Sequence, residues 1–149
     1  MSASAKPVLR NRIIGALTAT ICISAMLALS LVAPNRSGYG THKKLGLDNC
    51  DYLSRTGYPC PGCGFTTSIT SAGRWDFIHS ARSHIFGLFC YLLIVSSAIA
   101  GAYQAVTGRA VFAKLRPNFW WLFALVALFM GGWLLKTALG VWDGTFPIH

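Results

Sequence analysis

The chain of 149 residues has room for one domain, and its composition excludes an ordinary soluble protein: only 11% of its residues are charged, against about a quarter in soluble domains. Hydrophobic residues make up 54% of the chain, and the formal net charge of +9 comes from Lys and Arg that lie mainly between apolar stretches. Such positions suit helix flanks and lipid headgroups, whereas nucleic-acid binding needs basic residues and stacking aromatics on one soluble face. We therefore expect a lipid bilayer, and no nucleic acid, as the partner.

Three apolar stretches lie at residues 13–33, 85–106 and 118–138. Each has about the 20 residues that a helix needs to cross a bilayer, where only backbone that satisfies its own hydrogen bonds is tolerated. We predict an all-α integral membrane protein with three transmembrane helices and a cysteine-containing loop, residues 34–84, that forms one or two short helices at the membrane surface. Residues 1–149 are expected to form a single membrane domain.

The first apolar stretch also has features of a cleaved signal peptide, since Lys6, Arg10 and Arg12 precede it. Its apolar part is longer than the 7–15 residues of a signal h-region, and Pro34 follows Ala33, where cleavage would have to occur. We expect this helix to remain in the protein.

The loop begins with residues rich in Gly, Ser, Asn and Asp, which predict turns and irregular chain over residues 35–58. The segment TTSITSAG then predicts a short helix with Thr66 or Thr67 as its N-cap and Gly73 at its end. Asp76 is expected to cap a further helix, FIHSARSH, that runs without a break into the second transmembrane segment.

The motif CPGCG, residues 60–64, carries the chemistry of the loop. Pro61 fixes one backbone dihedral while Gly62 and Gly64 can take positive φ, so the chain is able to turn tightly and direct both sulfurs the same way. Cys60 and Cys63 are therefore expected to be neighbours.

A metal site is one use of this pair, because cysteines two residues apart supply half of a tetrahedral zinc site. Cys50 would be a third ligand, and the loop histidines are His42, His79 and His84. We favour His79 as the fourth ligand because it begins the helix just after the motif. No second CxxC motif is present, and zinc is the candidate ion.

A structural disulfide is the second use, pairing Cys50 with Cys60 or Cys63 on the oxidising side of the membrane. A dithiol that cycles with a disulfide is the third, and it would gain a lowered thiol pKa from the N-terminus of the helix that follows. The third use lacks the βαβ context in which CxxC motifs of redox enzymes normally occur. Cys22 and Cys90 lie inside apolar stretches and are interpreted as packing residues.

The second and third apolar stretches predict packing and anchoring positions. Ser97, Gly101 and Ala105 recur every four residues and should allow another helix to approach closely. Lys136 is expected to extend its ammonium outward beside Trp133. The three stretches contain no Asp, Glu, Arg or His at membrane depth, which disfavours a transport path.

The sequence around the motif resembles a family of small bacterial membrane proteins of uncharacterised function. Its members carry a Cys-Pro-x-Cys-Gly-x-Thr-Arg signature, then a short helix, a Gly, an acidic residue and a helix that enters the membrane. The residues that match are Cys60, Pro61, Cys63, Gly64, Thr66, Gly73 and Asp76, whereas Thr67 stands where the family usually has Arg. The resemblance implies a helical membrane module with a cysteine knuckle near the membrane surface, and it implies no reaction.

The expected location is the bacterial inner membrane. Three of the first twelve residues and three of residues 107–117 are basic, so the positive-inside rule favours a cytoplasmic N-terminus and places residues 34–84 outside the cytoplasm.

We hypothesise a membrane protein of structural, assembly or accessory-subunit type, whose loop is stapled by a disulfide or a metal ion. Its partner would be another membrane protein or a second copy of this chain, and no residue is assigned a catalytic role. Two alternatives stay open: a thiol-disulfide or metal-dependent enzyme centred on Cys60 and Cys63, and an oligomeric transporter or channel.

Overall fold

The computed structural model describes residues 5–41, 46, 48, 50–111 and 118–147, with side chains from Pro7 onward. Within these ranges the chain forms helices and no strand, which confirms the predicted all-helical class. The helices are α1 (Ala5–Leu31), α2 (Asp51–Thr56), α3 (Phe65–Gly73), α4 (Phe77–Ser83), α5 (Ile85–Thr107) and α6 (Phe119–Trp142).

Three of the helices are long and apolar enough to cross a membrane, namely Pro7–Leu31, Ile85–Thr107 and Phe119–Trp142. Large apolar side chains are exposed along all three, as expected of surfaces that face lipid; examples are Leu17, Ile99 and Leu122. The chain is thus a multi-pass membrane protein. The first helix begins eight residues before the predicted start at residue 13, because the basic N-terminal segment continues the helix beyond its apolar part.

The chain divides into two compact units. One comprises the described residues before position 29 and from 92 to 118, and the other comprises those from 29 to 91 and from 119 onward. In the first unit, α1 and α5 approach closely at two glycines. A Cβ on Gly101 would lie 2.9 Å from the Gly15 carbonyl oxygen, and Gln104 Nε2 donates to the Asn11 carbonyl at 3.1 Å. The predicted small-residue stripe on α5 therefore serves packing inside this unit.

The second unit has a core rich in hydroxyl groups, formed by α3 and α4. Thr67 Oγ1 lies 2.7 Å from Thr41 Oγ1, and Ser68 Oγ lies 3.0 Å from Ser80 Oγ. All four side chains are buried. Pairing them with one another satisfies their hydrogen bonds, which buried polar groups require.

The start of the loop differs from its prediction, because the segment predicted to be irregular contains the short helix α2, Asp51–Thr56. Asp51 lies in the first turn, where the helix dipole favours an acid, and pairs with Arg55 one turn later, with Nε and Oδ1 2.8 Å apart. Gly57 ends the helix at φ 74°. Six residues are too few for a hydrophobic period, so composition alone did not reveal this helix.

Helix α3 ends at Gly73 as predicted, but the predicted caps are wrong. The N-cap is Gly64, and the helix begins at Phe65. Thr67 already lies inside the helix and uses its hydroxyl to contact Thr41, while the Thr66 carbonyl accepts a hydrogen bond from the Thr70 hydroxyl. The glycine-rich turn of the cysteine motif thus leads directly into α3.

Helix α4 begins as predicted, because Asp76 Oδ1 accepts the backbone N–H of His79 at 3.0 Å. The predicted continuous run into the membrane is wrong: α4 ends at Ser83, and His84 is extended at φ −171° and ψ 113° before α5 begins. The break at His84 is held by tertiary contacts, since its carbonyl accepts from Ser68 Oγ at 2.7 Å and its ring contacts Pro61.

Candidate metal centre

Three thiols meet in the second unit. The sulfurs of Cys50, Cys60 and Cys63 all lie within 4.8 Å of one another, and Cys60 Sγ is 3.1 Å from Cys63 Sγ. Cys63 is buried, and the other two are half-buried. Among the described residues this is the group of His, Cys, Asp and Glu ligand atoms close enough together to hold one metal ion. The predicted neighbours Cys60 and Cys63 are therefore brought together, with Cys50 beside them.

A tight turn directs two of the sulfurs to the same place. The backbone N–H of Cys63 donates to the Cys60 carbonyl at 2.9 Å, and that of Phe65 donates to the Gly62 carbonyl at 3.2 Å. Gly64 has φ 91°, as predicted, but Gly62 is not among the residues with positive φ. One left-handed residue is thus enough to make this turn.

Gly64 is also needed because other backbone lies against it. A Cβ at this position would lie 2.5 Å from the Ser83 carbonyl oxygen and 2.7 Å from that of Gly38. Side chains rarely adopt φ 91°, and no rotamer change relieves a contact between Cβ and backbone. By contrast, a Cβ on Gly62 would meet nothing within 4 Å.

The carbonyl groups of the cysteine turn are held by three side chains, two from the membrane-spanning helix α6 and one from the extended residue before α5. Trp133 Nε1 donates to the Pro59 carbonyl at 2.7 Å, His84 Nε2 to that of Pro61 at 3.0 Å, and Lys136 Nζ to that of Cys63 at 3.1 Å. Residues 59, 61 and 63 are thus each fixed by a separate donor. We refer to Trp133, His84 and Lys136 as the carbonyl anchors.

The position of Lys136 corrects its predicted role. Its ammonium does not extend outward beside Trp133, since it also donates to the Gly38 carbonyl at 3.0 Å and lies 5.9 Å from the centre of the Tyr39 ring. The loop therefore folds over the end of α6. Its carbonyl groups accept hydrogen bonds from the ammonium that was expected to reach the membrane surface. One positive charge consequently lies next to the cysteine cluster, where it favours thiolates.

The three thiols do not ionise equally. Burial, followed by hydrogen bonds with Cys60 and Cys50, raises the pKa of Cys63 to about 12. Partial burial opposes ionisation of Cys50 as well, but backbone N–H groups of Leu53 and Tyr52 and the two neighbouring thiols outweigh it, and the pKa of Cys50 is lowered. The lowered pKa predicted for a thiol before α3 is therefore wrong for Cys63, because burial and the neighbouring thiols outweigh the one backbone hydrogen bond, with Cys60, that lowers it.

His84 is a buried neutral imidazole. Burial lowers its pKa, the Pro61 carbonyl acts in the opposite direction, and the charge of Lys136 lowers it further. The ring is stacked on Phe129 with centroids 5.4 Å apart. Because Nε2 donates to the Pro61 carbonyl, Nδ1 is the unprotonated nitrogen, and it has no hydrogen-bond partner among the described residues.

The described histidines that were considered as ligands, His79 and His84, do not belong to the cysteine cluster. His79 is not brought into the cysteine cluster: its Nε2 lies 3.1 Å from the Asn35 carbonyl oxygen. The ring of His84 contacts the cysteine turn at the Pro61 carbonyl, and His42 lies outside the described residues. Cys22 and Cys90 belong to α1 and α5, are half-buried and take no part in the cluster.

Residues 50–97 match a family described as "Protein of unknown function (DUF2752)". The match covers all three clustered cysteines, α2 to α4 and the first half of α5. The comparison with curated proteins found no match, and the comparison with solved structures found none either. The similarity to an uncharacterised family is thus supported for residues 50–97, the part of the chain that carries the cysteine turn.

The arrangement of the sulfurs fits one thiophilic ion. Tetrahedral zinc with Zn–S bonds of about 2.3 Å places its sulfur ligands about 3.8 Å apart, and the three sulfurs here lie within 4.8 Å of one another. Cys60 and Cys63, now 3.1 Å apart, would have to separate slightly. Three soft thiolates suit zinc better than the hard ions that prefer oxygen ligands.

The carbonyl anchors are the part of the site that sequence reasoning missed. Trp133 and Lys136 are three residues apart on α6 and therefore share one face of the helix, a spacing visible in the sequence. Both also carry a donor at the end of a long side chain. What the sequence does not contain is the position of the acceptors, since those are backbone carbonyls about 70 residues earlier in the chain.

Proposed function

We propose that the protein is a membrane module that binds one zinc ion through Cys50, Cys60 and Cys63 and uses it to hold its surface loop in place. The observation that carries this proposal is the convergence of three sulfurs from two separate segments within 4.8 Å. A disulfide needs only two of them, whereas a metal ion uses all three.

The role proposed for the metal is structural. Cys50 precedes α2, while Cys60 and Cys63 precede α3, so an ion bound to all three would join the beginnings of two short helices. The turn is fixed further by the carbonyl anchors on residues 59, 61 and 63. A site held in this way favours a fixed geometry, as expected of a structural metal centre that contributes directly to folding.

The fourth ligand is proposed to be a histidine or water. His79 stays our sequence-based choice, and binding would require its imidazole to leave the Asn35 carbonyl. We further propose an accessory or assembly role in the bacterial inner membrane, with residues 34–84 outside the cytoplasm. In that role the metal-bound loop presents a fixed surface to another membrane protein or to a second copy.

The test is zinc content measured by elemental mass spectrometry on protein purified without chelators. We expect about one zinc per chain, and loss of most of it in each of Cys50→Ser, Cys60→Ser and Cys63→Ser, because each variant removes one of three thiolates. Cys22→Ser and Cys90→Ser are matched controls, since both change a cysteine of a spanning helix outside the cluster, and they should retain zinc. Wild-type protein with three reduced thiols and no zinc would contradict the proposal.

A second candidate is a thiol-disulfide couple, which is favoured by one specific distance. Cys60 Sγ and Cys63 Sγ are 3.1 Å apart, so a small movement would bring them to the length of a disulfide bond, about 2.05 Å. This candidate excludes simultaneous zinc binding by the same pair. Intact-protein mass spectrometry distinguishes the two, because a disulfide lowers the mass by two hydrogens and blocks two thiols from alkylation until the protein is reduced.

A further inference from the structure

A second site lies in the same unit, in a cleft of about 550 Å³ between the last turns of α6, the end of α4 and the loop before residue 39. Its volume lies in the range of small-molecule sites. The polar side chains that line it include those of Arg36, His79, Arg82, Ser83, Lys136 and Asp143. None of the three clustered cysteines lines this cleft, although His79 and Lys136, which the zinc proposal also uses, do.

The cleft has an excess of positive charge. Arg36 and Arg82 are exposed, and neither forms an ion pair or a side-chain hydrogen bond within the described part of the chain. All four aspartates of the protein are described, and Asp143 is the one that lines the cleft. Two guanidinium groups are therefore available to a ligand. Arginine is the side chain best suited to phosphate, because its planar fork can donate two parallel hydrogen bonds.

One buried side chain at the wall of the cleft lacks a partner. Ser83 is 1% exposed, and its hydroxyl has no hydrogen bond with any described residue. The hydroxyls of the neighbouring core, such as Ser68 and Ser80, are paired. A buried hydroxyl without a partner is destabilising, and such groups are uncommon in folded proteins. A ligand oxygen in the cleft would provide the missing partner.

We propose that this cleft binds a phosphate group, with Arg36 and Arg82 pairing with its charge and the Ser83 hydroxyl donating to one of its oxygens. The phosphate belongs either to the headgroup of an anionic phospholipid or to a free phosphate compound. A headgroup fits the location, because Leu139 and Gly140 near the end of the membrane-spanning helix α6 also line the cleft. A free phosphate compound would enter from the aqueous side.

Two measurements on the full-length protein in phosphatidylcholine nanodiscs test the proposal. Calorimetric titration with sodium phosphate detects a free phosphate compound. Native mass spectrometry of protein from nanodiscs that also contain phosphatidylglycerol detects a retained anionic lipid. We expect saturable binding in at least one measurement, and the measurement that is positive identifies the source of the phosphate.

The variant Arg36→Gln/Arg82→Gln should weaken this binding about tenfold or more. It removes the hydrogen bonds that the two guanidinium groups donate to the charged phosphate, and such bonds contribute more to affinity than bonds between neutral groups. Both residues are exposed, so the fold should persist. The control Arg55→Gln/Arg109→Gln removes two exposed arginines that do not line the cleft, and it should bind as the wild type does. Equal weakening by both double variants would overturn the proposal, as would the absence of binding in both measurements.

Ser83→Ala provides an independent check. If the hydroxyl binds phosphate, this variant lowers the affinity while leaving the zinc content unchanged. If the hydroxyl has no ligand, its removal eliminates a buried group without a partner, so the variant should be at least as stable as the wild type and bind phosphate equally well. That second result would overturn the role assigned to Ser83.

Discussion

Single residues decide whether the cysteine turn can form. Gly62 and Gly64 look alike in the sequence, and both were predicted to supply left-handed backbone. The structure assigns that requirement to Gly64 alone, at φ 91°, and surrounds it with backbone carbonyls. The distinction was not predictable, since the carbonyls that approach Gly64 belong to Gly38 and Ser83, distant in sequence from the turn.

We predict that Gly64→Ala destabilises the protein by about 2 kcal/mol or more, because it forces a side chain into left-handed backbone and into contact with two carbonyls. Gly62→Ala should change the stability by less than about 0.5 kcal/mol, since the added methyl meets no atom within 4 Å. Thermal unfolding of both variants in detergent measures the difference. Equal midpoints would show that Gly64 does not carry the turn.

Another single residue, His84, should make stability depend on pH. Its pKa is lowered from 6.5 in the folded protein, chiefly by burial, so the unfolded chain binds a proton more readily. The stability contributed by neutral His84 is therefore fully present above about pH 6.5 and is lost as the pH falls through the folded pKa, by about 1.4 kcal/mol for each unit of pKa difference.

The measurement is the unfolding midpoint of wild type and His84→Gln between pH 5 and pH 8, which brackets the ordinary histidine pKa of about 6.5. The wild-type midpoint should fall in acid more steeply than that of His84→Gln, which has no imidazole to protonate at this position. Parallel pH profiles of the two proteins would argue against a buried neutral His84.

At the scale of elements, hydrophobic length predicted the three spanning helices to within a few residues, except at the start of α1. The sequence also predicted the capping aspartate of α4 and the glycine at the end of α3, because each acts on residues close to it in the chain. The break between α4 and α5 was not predictable. It depends on contacts of His84 with Ser68 and Pro61, which no local pattern encodes.

Helix α6 acts on the cysteine turn through one face, and this predicts a specific effect of Trp133→Phe. The variant leaves the Pro59 carbonyl without its donor, which should cost about 1 kcal/mol and speed the transfer of zinc to a chelator. Trp120→Phe, near the other end of the same helix, is the control, because Trp120 is exposed. If the two variants released zinc at the same rate, the carbonyl anchors would not support the metal centre.

At the scale of the whole molecule, the two units differ in what they contain. The first contains a close pair of helices with glycine at the contact, and the second contains the thiols, the buried hydroxyls and the cationic cleft. The CPGCG motif located the chemistry in the loop and contains two of the cysteines that meet, and Cys50 upstream of it was predicted as the third. The sequence did not decide between metal and disulfide, because that choice depends on whether Cys50 lies beside the CxxC pair, which is a matter of tertiary structure.

Zinc X-ray absorption of the purified protein in detergent measures directly whether all three thiolates bind one zinc ion. We predict three sulfur neighbours at about 2.3 Å from zinc, and two in any zinc that Cys50→Ser retains. A zinc shell without sulfur in the wild type would contradict binding by the three thiolates, as would a shell of two sulfurs that Cys50→Ser leaves unchanged.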